Sequence, residues 1–366
     1  MKRKTQNILL LAFCLGLNLT FAFYNFDITA AQTAKPTTGT QKVFSPTPPT
    51  KVSPSPSPSE EDEVIEIKTE LVNLNVRVVD RNNRSISNLA KNDFKVYENN
   101  VLQPIEFFSK GEVPTNYSMV IDNSGSLRFQ LEKVIDASKI IVATNRPDDE
   151  TSIIRFVSRD KISIEQDFTP DKTELNDALE NLYIEGGQTA IIDAVYLAAQ
   201  RVTDYEKTRD PNDRKRRALI LISDGEDRDS YYKEQQLYDL LRETDVQIYA
   251  IGFVSELSKE GGFISKSPQG KAKAFLERLA AETGGKVYFP NSVDELGGIA
   301  QDIAKELRTQ YLIGYLPPND VRDGSFRSIK VVVDDGPKKE KRIAITRSGI
   351  TRSGDNGLKP TLQKKN

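Results

Sequence analysis

Hydrophobic and polar positions along the chain follow two rhythms, and each change of rhythm marks a boundary. In "VIEIKTELVNLNVRVVD" (Val64–Asp80), Leu71, Val72, Leu74, Val76 and Val78 recur near every second position, which predicts a strand with one buried face. "RNNRS" supplies a turn. "DFKVYENNVLQPIEFFSK" (Asp93–Lys110) reads as a hairpin turning at Asn99-Asn100. From Tyr117 the rhythm becomes strand, helix, strand, helix. Its strand runs are "YSMVID", "TSIIRFVS", "RALILISD", "VQIYAIGFV" and "KVYF". Between them, helical spacing predicts helices over Phe129–Asn145, Lys172–Leu182, Ala190–Tyr205, Lys233–Glu243, Ala272–Glu282 and Val293–Leu307. "KISIEQDF" predicts a short antiparallel strand at the sheet edge. After Leu307 the pattern returns to strands: "TQYLIGYLPP", "RSIKVVVDD" and "KRIAITRS".

A strand as uniformly apolar as "ALILI" is one buried on both faces, as in a parallel sheet between helix layers. Residues 115–307 are therefore expected to form an α/β domain around a doubly wound, mostly parallel sheet. The strands before and after it have no helices to cover them, and two or three strands alone are marginal. Residues 64–110 and 308–347 are expected to pack together as one smaller, all-β sandwich-like domain, with the α/β domain inserted between them. Residues 32–63 are rich in Pro and Ser and bury too little apolar area to offset chain entropy. Such a segment is a linker, extended at ~3.1 Å per residue where the Ser-Pro alternation stiffens it. Residues 348–366 are expected to form a loose tail.

Composition narrows the chemistry. The 366 residues include 51 basic and 53 acidic side chains, a formal charge of −2 that gives no broad positive field for nucleic acid. The chain has no His, and its single Cys is Cys14, so His-based acid–base catalysis, a Ser-His-Asp triad and zinc sites built on His or Cys are excluded. Cys14 lies in "MKRKTQNILLLAFCLGLNLTFAF", where three basic residues precede an apolar run. That is the layout of an export signal over residues 1–31, with cleavage points after Ala22 or Ala31, and it implies a secreted, periplasmic or cell-surface protein. A retained membrane anchor is the alternative, although the run falls short of a comfortable span.

In open α/β sheets, ligands collect at the carboxyl ends of the strands. Three oxygen-rich loops are expected there: "DNSGS" with Asp122, Ser124 and Ser126; "GGQTA" with Thr189; and "SDGED" with Asp224. All five donors are hydroxyl or carboxylate oxygens, the ligands of a hard divalent cation such as Mg²⁺, with Mn²⁺ or Ca²⁺ as alternatives. Two carboxylates and otherwise neutral donors leave the cation electrophilic, so a partner's carboxylate can complete its shell. The competing reading is that Ser124, Ser126 and Thr189 cap helices and Asp224 sits in a turn.

The Asp-x-Ser-x-Ser spacing, the distant Thr and the Asp before Gly resemble the metal-ion-dependent adhesion site of the von Willebrand factor type A family. The resemblance covers about 115–307, and the flanks are similar to those of exported bacterial relatives. It implies a non-enzymatic module that adheres to a protein or matrix partner presenting Asp or Glu. Two other classes stay open: a metal-dependent hydrolase or phosphatase using Asp122 or Ser124, and a scaffold whose metal is purely structural. The acid-dense "DGEDRDS" (Asp224–Ser230) is read as a solvated rim, because Arg228 breaks the calcium-loop pattern. "RKRR" (Arg214–Arg217) is read as a solvated loop, and Phe156 and Phe253 as core.

Overall fold

The computed structural model describes residues 71–110, 113–207, 215–258, 267–317 and 323–353. The expected export signal, the Pro/Ser-rich linker and everything beyond residue 353 lie outside the described residues. In chain order the alternating N-terminal run forms β1 (Val72–Val79), followed by β2 (Phe94–Glu98), β3 (Val101–Gln103) and β4 (Ile105–Lys110). The α/β region then runs β5 (Thr115–Asp122), α1 (Leu131–Ala143), β6 (Glu150–Phe156), β7 (Ile162–Thr169), α2 (Lys172–Glu180) and α3 (Ile191–Lys207). It continues through β8 (Arg216–Ser223), α4 (Glu234–Glu243), β9 (Gln247–Gly252), α5 (Pro268–Thr283), β10 (Lys286–Tyr288) and α6 (Leu296–Thr309). The C-terminal strands are β11 (Tyr311–Tyr315), β12 (Asp323–Val333), β13 (Ile343–Ile345) and β14 (Gly349–Ser353).

The central sheet has the order β10-β9-β8-β5-β6-β7 and is parallel except for β7, which closes one edge antiparallel to β6. Strand β5 sits inside it and is buried over its whole length. Successive side chains of a strand point to opposite faces, and each face has its own core. Met119 and Ile121 pack with Val134 and Ile141 of α1, Leu175 of α2 and Ile303 of α6. Val120, between them in sequence, packs with Val195 and Ala198 of α3, Leu237 of α4 and Leu276 of α5. Helices cover both faces, which is why "ALILI" carries no polar position.

The flanking strands form two four-stranded antiparallel sheets, ordered β13-β1-β11-β4 and β14-β12-β2-β3. Their shared core contains Leu74, Val76, Phe94, Val96, Ile313, Tyr315, Ile329 and Val331. The rings of Phe94 and Tyr311 lie 4.9 Å apart, tying the two sheets together. Asn99 and Asn100 both adopt left-handed φ, 49° and 66°, as a two-residue hairpin turn requires. The hairpin is shorter than its sequence run suggests. Pro104, which has no N–H to donate, ends the pairing after Gln103, and β4 crosses to the other sheet.

Two expectations change where the β strands meet the α/β domain. The described part of "RKRR", residues 215–217, is not a solvated loop: Arg216 and Arg217 belong to β8, and Arg216 is 3% exposed and donates to the carbonyls of Leu307 and Gln310, at 3.1 and 2.6 Å. These are among the carbonyls that α6 leaves unpaired at its C-terminus. The loose tail does not begin at residue 348, because Gly349–Ser353 is strand β14, antiparallel to β12. Its apolar signal is a single residue, Ile350. Its pairing depends on Gly349, where a Cβ would stand 2.4 Å from the Arg327 carbonyl oxygen. Just before it, the buried Arg347 donates to the carbonyls of Leu241 and Arg242 at the end of α4, at 3.1 and 2.9 Å.

Replacing Arg347 by Met keeps most of the volume and removes its donors to the Leu241 and Arg242 carbonyls, leaving Leu241 O the longer bond from Thr244 Oγ1 at 3.4 Å. The expected cost is about 2–4 kcal/mol, read as a lower urea midpoint with an unchanged m-value. An unchanged midpoint would show that the guanidinium does not hold this junction.

Candidate metal centre

Two of the oxygen-rich loops leave the sheet at a strand's carboxyl end, that of Asp122 from β5 and that of Asp224 from β8, whereas the Thr189 loop, expected there too, joins α2 to α3. The register of β5 and β8 fixes which atoms meet. Ile121 stands opposite Ile222 across β5 and β8, so Asp122 and Ser223 emerge side by side. The Ser223 hydroxyl donates to Asp122 Oδ2 at 2.7 Å and accepts from the Gly225 N–H at 3.1 Å. The other oxygen of Asp122, Oδ1, accepts the Ser124 N–H at 2.9 Å, a side-chain turn that folds the loop back over the strand end. Ser124 Oγ and Ser126 Oγ lie 2.8 Å apart. Ser126 is exposed, whereas Asp122, Ser124, Thr189 and Asp224 are buried.

The second and third loops are stitched to the first through backbone. The carbonyl of Asn123 accepts the Glu185 N–H at 2.8 Å, and the Ala190 N–H donates to Val157 O at 3.0 Å. Gly187 permits this approach, since a Cβ there would meet Val157 Cγ1 at 2.5 Å. The carbonyl of Thr189 accepts from the N–H groups of Arg228 and Asp229, at 2.8 and 3.1 Å, joining the Thr189 and Asp224 loops. Asp224 Oδ1 accepts the Glu226 N–H at 3.0 Å, around Gly225 with a left-handed φ of 81°. The stretch Asp224–Ser230 is thus a hydrogen-bonded clasp rather than a merely solvated rim. Asp227 Oδ1 accepts from Ile192 N at 3.3 Å, and Ser230 Oγ accepts from Asp193 N at 3.1 Å. In return, the buried Asp193 carboxylate takes the N–H groups of Tyr231 and Tyr232.

The electrostatics set this edge apart. Burial first, and then the negative charge of Asp224, push the Asp122 carboxyl up to about 6. Among the described residues neither acid forms an ion pair with a basic side chain. Two acids lie close together, buried and uncompensated, among neutral hydroxyls. That donor set fits a hard divalent cation. Among the described residues no three His, Cys, Asp or Glu side chains gather closely enough to hold a metal by themselves, so the hydroxyls are indispensable to such a site. Sequence reasoning missed Ser223, which links Asp122 to Gly225, because its role depends on the β5–β8 register.

Without cation, the raised Asp122 carboxyl binds its proton more tightly in the folded chain than in the unfolded one. Its stabilising contribution is therefore full below the ordinary carboxylate range and is lost as pH rises through about 6. Melts in EDTA should show this loss, on the order of 2–3 kcal/mol, and Asp122→Asn should recover it at neutral pH. An Asp122→Asn protein no more stable than the wild type in EDTA would remove the uncompensated charge from the argument.

Comparison with known proteins bears on the family of the chain. The family model of the von Willebrand factor type A domain matches residues 118–302. An uncharacterised protein of the cyanobacterium Synechocystis is 34% identical over 115 residues, which is 31% of this chain. The match spans only 26% of that protein's length. An aerotolerance-related membrane protein of Bacteroides fragilis is 19% identical with a TM-score of 0.40, over 53% of this chain and 98% of that one. A von Willebrand factor type A protein of Catenulispora acidiphila is 12% identical with a TM-score of 0.44, over 70% and 73%. Proximal thread matrix protein 1 of the mussel byssus, in a form with a zinc-occupied metal-ion-dependent adhesion motif, is 19% identical with a TM-score of 0.42, over 54% and 49%. Likenesses this distant carry no argument about activity. The doubly wound sheet and a family match over half of the sequence do decide descent, and the chain belongs to the von Willebrand factor type A domain family.

Proposed function

We propose that the chain is an exported, non-enzymatic binding module. It engages a protein or extracellular-matrix partner through a divalent cation held by Asp122, Ser124, Ser126, Thr189 and Asp224 and completed by the partner's Asp or Glu. Domains of this family are typically interaction modules that hold a divalent metal. The observation that carries the reading for this chain is the pair of buried acids, Asp122 and Asp224, with no basic side chain among the described residues to offset them.

A bound cation would supply positive charge and an open coordination position for a carboxylate. The chain's own residues prepare that position. Ser124 N–H and the Ser223 hydroxyl fix both oxygens of Asp122, so the carboxylate is already oriented. The hydroxyls of Ser124, Ser126 and Thr189 add donors without adding negative charge. Mg²⁺ suits this set best, with Mn²⁺ and Ca²⁺ as alternatives.

The hydrolase reading gains no support from the geometry. Ser124 Oγ lies 2.8 Å from Ser126 Oγ, which is no general base, and its other side-chain partner, the Asp122 carboxylate, is assigned to the cation. Export rests on the basic and apolar N-terminal sequence. Among the described residues no helix is long and apolar enough to cross a membrane.

Calorimetric titration with Mg²⁺ and Mn²⁺ should show one cation bound by the wild type. Asp122→Ala and Asp224→Ala should each lose about a hundredfold or more in affinity, as expected when a charged ligand is removed. Binding that survives in both variants would refute the assignment.

A further inference from the structure

Beside the cation loops stand two aromatic side chains that nothing in the fold requires to be exposed. Phe129 is 85% exposed, one short turn after Ser126. Its backbone is nevertheless fixed. Leu127 and Gln130 on either side are buried, Leu127 N–H donates to Ser124 O at 3.1 Å, and Gln130 N–H donates to Leu127 O at 3.0 Å. The turn that shapes the Ser124–Ser126 loop therefore also holds the Phe129 ring in solvent.

Tyr183 is 54% exposed and arrives at the same loop from the other side, its carbonyl accepting Asn123 Nδ2 at 2.9 Å. The Arg155 guanidinium carbon lies 4.6 Å from the centre of its ring. Arg155 is itself buried and anchored by Glu165 at 3.0 Å and Glu185 at 2.9 Å. Lys161 holds Glu185 in turn, at 2.7 Å. Tyr183 thus has one covered face and is ordered before any partner arrives. Rigid, partly exposed aromatics of this kind dominate protein interfaces, because little side-chain freedom remains to be lost on contact. Phe129 lies in the turn just before α1 and Tyr183 in the loop just after α2, and these two helices pack against each other. Arg128, between Leu127 and Phe129, is exposed and forms no ion pair among the described residues.

We propose that Phe129 and Tyr183 are the specificity-determining edge of the cation site. The partner they fit is an extended peptide segment in which a bulky apolar or aromatic side chain directly follows the acidic residue. This rests on the cation-dependent reading above and adds to it the chemistry of the partner. The carboxylate is drawn to the cation and to Arg128, and its neighbour packs on the open faces of the two rings. Burial of that neighbour supplies what an exposed carboxylate contact lacks, since charge steers encounter more than it sets affinity.

The test uses two capped hexapeptides that differ only in whether Phe or Ser follows a central Glu, with binding followed by fluorescence anisotropy in Mg²⁺ and in EDTA. The Phe peptide should bind about tenfold tighter than the Ser peptide in Mg²⁺. Phe129→Ser and Tyr183→Ala should each abolish that preference while leaving calorimetric Mg²⁺ affinity unchanged. Equal binding of the two peptides, no binding of either, or a preference retained in both variants would overturn the proposal. So would tighter binding of the wild type to a soluble oligosaccharide probe than to the Phe peptide. A preference that persists in EDTA upholds the aromatic edge and refutes the cation-dependent reading instead, so the two failures are distinguishable.

Discussion

Two negative charges held close together in a buried place, with no positive side chain among the described residues to balance them, are the constraint on which the loop architecture depends. A carboxylate at the end of a buried strand ordinarily finds an arginine or lysine, and elsewhere this chain supplies one. Asp149, fully buried, receives Arg308 at 2.7 Å. Glu306, also buried, receives Arg77 at 3.3 Å. At Asp122 the partners are instead a backbone N–H and a serine hydroxyl, which orient the carboxylate without neutralising it. The cost of that choice is local instability, met by stitching all three loops together through main-chain hydrogen bonds.

The opposite end of the α/β domain uses the reverse strategy. There charges enter the interior only to satisfy helix ends and one another. Arg216 closes α6 and Arg347 closes α4, one from a strand of the central sheet and the other from the C-terminal β segment. Gly284, with a left-handed φ of 73°, lets that segment approach the end of α5, where a Cβ would stand 2.5 Å from the Thr346 carbonyl carbon. Helix-end hydrogen bonds and ion pairs fasten the β strands to one end, and the two acids at the other have no basic partner among the described residues.

This division explains what the sequence disclosed. Strand β8 was legible because burial on both faces leaves "ALILI" without a polar position, and the Asn99-Asn100 turn because few residues tolerate left-handed φ twice in succession. Asp122, Ser124, Ser126, Thr189 and Asp224 could be named because each follows a strand or precedes a helix at a recognisable place. Ser223 could not, since its partner is set by register across 101 residues. Arg216 read as surface for the same reason, and the role of Arg347 stayed hidden inside its strand run: a buried guanidinium is intelligible only once the distant carbonyls it serves are known. Strand β14 escaped notice because one isoleucine makes no alternation.

The insertion has a mechanical consequence. Entry to and exit from the α/β domain are made through neighbouring strands, with Lys110 at the end of β4 directly opposite Tyr311 at the start of β11. On its other side β11 is antiparallel to β1, with Tyr311 opposite Val76 and Tyr315 opposite Val72. A pull on the α/β domain resisted at the chain before Leu71 therefore draws β11 and β1 past each other along their length. The backbone hydrogen bonds between them are then loaded together, in shear, rather than opened one after another. The topology that shelters two marginal sheets by pairing the chain's two flanks also places the strongest arrangement of a β ladder in the path of tension.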